Sequence, residues 1–176
     1  CRVWFSGGSR QKHTFLHGTV FKTAFNMIKR SALAFALFVL AAPVVFAGGE
    51  DEALFSSAEN SFKARDYAVA LKDYSEILEK FPTFRFIVDA KYSRAWCLYE
   101  LGHYEEAIAG FRDVVEDHPT HPLANESVYK IGQSFFDQKK YDSAIEIFSQ
   151  FIREYPLHPK TANAHYLLGQ AYYSLG

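Results

Sequence analysis

The sequence predicts an all-α fold: a right-handed superhelical solenoid of antiparallel helix pairs, with about three and a half repeats of 37 residues. Four kinds of residue recur at this interval: a proline, an alanine, an aromatic residue and a tyrosine. They are Pro82, Pro119 and Pro156; Ala70, Ala107 and Ala144; Tyr74, Phe111 and Phe148; and Tyr67, Tyr104 and Tyr141. A repeat of this length is typical of stacked helical units, none of which buries its apolar face alone.

Each repeat contains two amphipathic stretches separated by a short turn. In the second stretch of the middle unit, Tyr104, Ala107 and Phe111 follow the period of one helix face, and charged residues occupy the opposite face. We expect helices near residues 51–64, 67–81, 87–101, 104–117, 122–138, 141–155 and 159–175.

Prolines and a glycine mark the joints between helices. Pro119 and Pro156 keep the residue before them out of the helical conformation, so we expect them to end second helices. Pro122 and Pro159 suit the first turn of the helix that follows. Gly102 marks the turn between the two helices of the middle unit.

Small residues recur on the first helices, at Ala58, Ala95, Gly132 and Gly169. A large side chain there would hold two helices apart, so we expect close packing at these positions. Cys97 stands where later units have a serine and an alanine, and we interpret it as a small, buried filler rather than a nucleophile.

Composition divides the chain into three segments. Residues 1–26 contain no acid and no periodicity, and we interpret them as translated upstream sequence that is disordered. Residues 27–47 run from a positive start through an apolar stretch to Val45-Phe46-Ala47, which is the order of a secretory signal peptide. A membrane anchor is the alternative, but an apolar run of about 17 residues is short for a span. Cleavage after Ala47 predicts a periplasmic or secreted protein without a membrane span.

Residues 48–176 form the predicted solenoid. They stop after the first helix of the fourth unit, so we expect a solenoid truncated at its C-terminus, whose uncapped last repeat could self-associate. This segment carries 13 bases and 20 acids, a formal charge of −7. Nucleic-acid binding requires clustered Lys and Arg, so this charge speaks against such a partner.

These features resemble the tetratricopeptide repeat family. The family's Gly, aromatic, Ala, Phe and Pro appear with matching spacing at Gly132, Phe135, Ala144, Phe148 and Pro156. The longer unit is similar to bacterial envelope members, among them the Tol-Pal-associated cell-division coordinator and the outer-membrane barrel-assembly lipoprotein. The sequence also departs from these patterns. Ser57 and Arg94 stand where the family has Leu, and no cysteine follows Ala47, where a lipoprotein would carry one.

The resemblance implies a concave groove lined by the first helices, with ligand-facing positions one turn apart. Unit one offers Glu52, Phe55, Glu59 and Phe62; unit two Asp89, Tyr92, Trp96 and Tyr99; unit three Glu126, Tyr129, Gln133 and Phe136; unit four Asn163, Tyr166, Gln170 and Tyr173. Rigid aromatic residues with a few polar groups suit an extended or helical peptide. Packing between units is the alternative for Tyr92, Tyr129 and Tyr166.

We therefore expect a non-catalytic periplasmic scaffold that binds peptide segments of cell-envelope proteins. The sequence contains no Gly-rich phosphate loop and no nucleophile elbow, and His118 and His121 alone are too few for a zinc site. We expect no cofactor and no metal. The alternatives are the helical arm of a secreted hydrolase of the lytic transglycosylase type, with its catalytic domain beyond residue 176, and an outer-membrane assembly subunit.

Overall fold

Seven consecutive helices form the part of the chain that the computed structural model describes, residues 49–176. They are α1 (Glu50–Lys63), α2 (Tyr67–Lys80), α3 (Ile87–Glu100), α4 (Tyr104–Asp117), α5 (Pro122–Asp137), α6 (Tyr141–Glu154) and α7 (Thr161–Leu175). Residues 49–176 contain no strand, and each helix packs against the next. The predicted all-α solenoid is confirmed. The signal peptide and the segment before it lie outside the described residues.

Each second helix ends two residues before a proline. Phe81, His118 and Tyr155 have φ of −128°, −135° and −125° and ψ of 59°, 54° and 58°. These values lie outside the helical region, as the steric effect of a following proline requires. Pro119 and Pro156 therefore end their helices as predicted.

The prolines expected to begin helices behave differently. Pro122 is the first residue of α5, as predicted. The prediction for Pro159 is wrong, because α7 begins only at Thr161. The hydroxyl of Thr161 donates a hydrogen bond of 2.7 Å to the carbonyl of Tyr155, which closes a wider turn ahead of the helix.

One backbone conformation recurs in the turns within units. Arg65, Gly102 and Lys139, which are 37 residues apart, have φ of 61°, 81° and 60°. This left-handed region suits glycine and is uncommon for other residues. The turn at Gly102 is therefore confirmed, and packing of the helix pair imposes the same geometry on the other two units.

The recurring columns of the sequence form the core. Ala70, Ala107 and Ala144 are fully buried, as are the aromatic residues Tyr74, Phe111 and Phe148. Close packing is confirmed at Ala58, Ala95 and Gly132, which are all buried. It is wrong for Gly169, which is exposed with open space around it, because no helix of the described residues packs on that side of α7.

Both departures from the family's Leu position make hydrogen bonds to α2. The hydroxyl of Ser57 donates to Asp73 at 3.0 Å, and the guanidinium of Arg94 donates to the hydroxyl of Ser75 at 3.0 Å. Polar contacts between helices therefore replace an apolar contact at these two positions.

Candidate functional site: the inner face of the solenoid

The first helices of successive units line one face of the solenoid. Beyond contacts between sequence neighbours, α3 packs against α5 and α5 packs against α7, and no comparable contact joins the second helices. First helices that contact each other across the intervening helix form the inner, concave side of a curved stack.

A groove of about 460 Å³ opens on this face between α1 and α3. Half of the residues that line it are aromatic: Phe55, Phe62, Phe86, Tyr92 and Trp96. The rings contact one another in edge-on and stacked arrangements, with centroids 5.4 Å apart for Phe55 and Phe86 and for Phe62 and Trp96. Such mutual packing holds these large side chains in place.

Two carboxylates stand among these rings, Glu59 from α1 and Asp89 from α3. Glu59 accepts a hydrogen bond of 2.6 Å from the hydroxyl of the buried Tyr74 and lies 3.6 Å from the amine of Lys63. Burial, and then the hydrogen bond to Glu59, raise the pKa of Tyr74, so its hydroxyl stays a donor. Asp89 has no hydrogen-bond or ion-pair partner among residues 49–176.

Lys130 occupies a buried position next to the groove that the sequence analysis missed. Its side chain is 6% exposed, and its amine lies 3.8 Å from the ring centroid of Trp96 and 5.1 Å from that of Tyr99. The amine also donates to the side-chain oxygen of Gln133 at 3.3 Å. The available signal was a lysine between two apolar residues, Tyr129 and Ile131, in the sequence of this helix.

Burial lowers the pKa of the Lys130 amine to about 8, and the charges of Glu100 and Glu126 oppose that shift. The two aromatic rings also favour the charged form through cation–π attraction. Lys130 therefore ties α5 to the aromatic residues of α3 and fixes the position of Trp96 at the groove edge.

Trp96 and Tyr99 are each held by a carboxylate. The indole N–H of Trp96 donates to Glu100 at 2.8 Å, and the hydroxyl of Tyr99 donates to Asp137 of α5. Tyr99 does not line the groove and instead bridges two units. Of the four predicted positions of unit two, the groove brings together Asp89, Tyr92 and Trp96.

Tyr92 and Tyr129 occupy equivalent positions and are both buried, with exposures of 5% and 2%. Their rings pack on Phe111 and Phe148 at centroid distances of 5.5 and 5.9 Å. The amide of Asn163 donates to the hydroxyl of Tyr129, whereas the hydroxyl of Tyr92 has no partner among residues 49–176. Both rings belong to the packed interior, and Tyr92 also forms part of the groove wall.

The other predicted positions of unit three lie outside this groove. Glu126 lies 3.7 Å from the imidazole of His158 and 4.0 Å from the amine of Lys160. Gln133 accepts the hydrogen bond from Lys130, and Phe136 packs edge-on against Tyr141 at 5.5 Å. These side chains make contacts within the protein.

The predicted positions of unit four are open to solvent. Tyr166 and Tyr173 are 62% and 89% exposed, and the amide of Gln170 donates to the hydroxyl of Tyr166 at 2.8 Å. Nothing in residues 49–176 covers this face of α7.

The thiol of Cys97 is fully buried, as predicted for a filler. Burial raises its pKa to about 12, which suppresses the reactive thiolate. Within residues 49–176, no three His, Cys, Asp or Glu side chains converge as metal ligands. No helix of these residues has the length and apolar character needed to cross a membrane.

Two family models match the sequence. The model of a family described as outer membrane lipoprotein (YfiO) matches residues 48–141, more than half of the chain. A tetratricopeptide repeat model matches residues 129–176. No curated protein sequence matches the chain at a significant level.

Solved structures of repeat proteins share the fold. MamA from Desulfovibrio magneticus RS-1, from residue 41 to its end, superposes with a TM-score of 0.58 at 23% identity over 70% of this chain and 66% of that chain. A double mutant of MamA RS-1 gives 0.58 at 24% identity, over 70% of this chain and 65% of that one. A kinesin light chain from Podosopora anserina with nearly identical TPR-like repeats superposes with a TM-score of 0.56 at 15% identity, over 69% of this chain and 64% of that chain. The chain spans less than two thirds of each of these structures, and the likeness concerns the fold alone.

Proposed function

We propose that this chain, which belongs to the outer membrane lipoprotein (YfiO) family and folds as a tetratricopeptide-repeat solenoid, is a non-catalytic periplasmic scaffold that binds peptide segments of cell-envelope proteins. Tetratricopeptide solenoids mediate protein–protein interactions, which supports the general role. The observation that supports peptide binding is the aromatic-walled cleft of about 460 Å³ between α1 and α3. Preformed aromatic walls with a few polar groups bind peptide side chains at low entropic cost.

A scaffold also accounts for the shifted ionisable groups without invoking catalysis. Cys97 is buried with a raised pKa, and the amine of Lys130 is enclosed by two rings. A nucleophile needs access to its substrate, which neither group has. No feature of residues 49–176 and no sequence match favours the arm of a cell-wall hydrolase.

Two observations support an envelope location. The family is described as outer membrane lipoprotein, and residues 27–47 have the order of a secretory signal peptide. Fractionation of cells that express the full gene should recover the protein with the periplasm, and mass spectrometry should find a lipid-free N-terminus at Gly48. Recovery with the cytosol would contradict the location. A lipid-modified N-terminus would instead favour the outer-membrane assembly subunit.

Photo-crosslinking in living cells tests the groove. Lys63 lines the cleft with its side chain 71% exposed, and Lys72 is an exposed lysine on the neighbouring second helix α2. The photoreactive residue p-benzoylphenylalanine would replace each lysine in turn. We expect crosslinks to exported envelope proteins from position 63 and none from position 72. Equal yields at both positions, or no crosslink from position 63, would refute the groove.

A further inference from the structure

We infer that the groove between α1 and α3 recognises a peptide segment in which an apolar side chain is accompanied by a lysine or arginine. This inference rests on the proposed function and names the partner chemistry of the same site. The inference is based on the polar groups of the inner face that have no partner within residues 49–176.

Polar groups in the C-terminal half of the inner face are satisfied within the protein. Tyr129 accepts from Asn163, and Gln133 accepts from Lys130 at 3.3 Å. Glu126 has a basic group nearby, since the amine of Lys160 lies 4.0 Å from its carboxylate. Groups already bonded inside the protein gain little from a ligand, because a new contact must replace an old one.

Repeat equivalence explains why Asp89 is different. Asp89, Glu126 and Asn163 are 37 residues apart, and the tyrosine that Asn163 bonds is equivalent to Phe55 in the first unit. Phe55 has no hydroxyl, so Asp89 lacks the partner that Asn163 has in the last unit. Its carboxylate is half-buried at the groove wall, with no partner in residues 49–176.

The charge balance of the groove favours a cation. Its carboxylates are Glu59 and Asp89, and its one lysine, Lys63, lies 3.6 Å from Glu59. One negative charge is therefore left over, within a segment of formal charge −7. A bound lysine or arginine would neutralise Asp89, and an acidic segment would be repelled.

The walls and the volume of the groove indicate the apolar character and the size of the bound segment. Phe55, Phe62 and Trp96 offer apolar contact, and about 460 Å³ holds a few side chains rather than a folded domain. The ring of Tyr92 adds to this apolar wall, while its hydroxyl is buried below the surface of the groove.

Selection from a library of random decapeptides displayed on phage tests this chemistry with the purified full chain as bait. We expect the enriched sequences to combine Lys or Arg with aromatic or aliphatic residues. Selection with the Asp89→Asn variant should no longer enrich Lys and Arg. This variant should also bind the peptide that the wild-type protein binds most tightly about 5- to 20-fold more weakly. The matched control is Asp113→Asn, which changes an exposed aspartate on the second helix of the same unit and should leave binding unchanged. Circular dichroism would verify that each variant is folded.

The outcomes separate the two proposals. Enrichment of acidic or uncharged sequences, or of basic sequences that bind Asp89→Asn equally well, would overturn the inference and leave groove binding intact. Failure of the wild-type protein to enrich any sequence would contradict both the inference and the proposed function.

Discussion

Replacing Gly132 by alanine should destabilise the solenoid, although alanine is the better helix former. An added Cβ would lie 2.8 and 2.9 Å from two ring carbons of Phe148 and 3.2 Å from a methyl of Ile147. Ordinary contacts of this kind begin at 3.4 Å, so the ring would have to move by about 0.6 Å. Phe148 is fully buried and packs on Tyr129 at 5.9 Å, which leaves it no free space.

Two opposing terms set the size of the effect. Overpacking in a core costs about 1–3 kcal/mol, and the contact at 2.8 Å places this case toward the upper end. Replacing a helical glycine by alanine stabilises the helix by about 1 kcal/mol. The expected net loss in the free energy of unfolding is therefore about 1–2 kcal/mol.

Gly169 provides a matched control, because it is the equivalent glycine one repeat later and a Cβ there meets nothing within 4 Å. Gly169→Ala should stabilise the protein by about 0.5–1 kcal/mol, since only the helix propensity changes. Urea unfolding followed by circular dichroism would compare the two variants at equal m-values. If Gly132→Ala proved as stable as Gly169→Ala, the close approach of α5 and α6 would not exist as described.

Three further predictions follow from buried groups. Tyr92→Phe should raise the free energy of unfolding slightly, because it removes an unpartnered buried hydroxyl, whereas Tyr129→Phe should lower it by about 0.5–1.5 kcal/mol. Equal losses for the two variants in urea unfolding would contradict the assignment. Because the pKa of Lys130 is lowered to about 8, the unfolded chain binds more protons than the folded protein between that pH and the ordinary pKa of lysine. Stability should therefore rise by about 2 kcal/mol from pH 7 to pH 9.5, and Lys130→Leu should abolish this rise. With its pKa raised to about 12 by burial, the Cys97 thiol should react with a thiol reagent only in denaturant, and rapid labelling of the folded protein would refute its burial.

Periodicity alone predicts the helix pairs, the turn at Gly102 and the proline ends of the second helices, because these depend on local conformational limits that recur at 37 residues. It places Pro159 wrongly, since the turn before α7 is closed by the side chain of Thr161, a contact that no spacing rule shows.

The candidate site depends on tertiary contacts to a greater degree. Repeat equivalence treats Tyr92 and Tyr129 alike, yet only Tyr92 lacks a hydrogen-bond partner, because the residue facing each hydroxyl comes from the next unit. In the same way, the sequence alone suggests a surface position for Lys130. Packing of α5 against α3 instead places its amine over the ring of Trp96. A repeated pattern is a property of each unit alone, whereas the burial of Lys130 and the free hydroxyl of Tyr92 depend on how neighbouring units meet, and the groove also lies between two units.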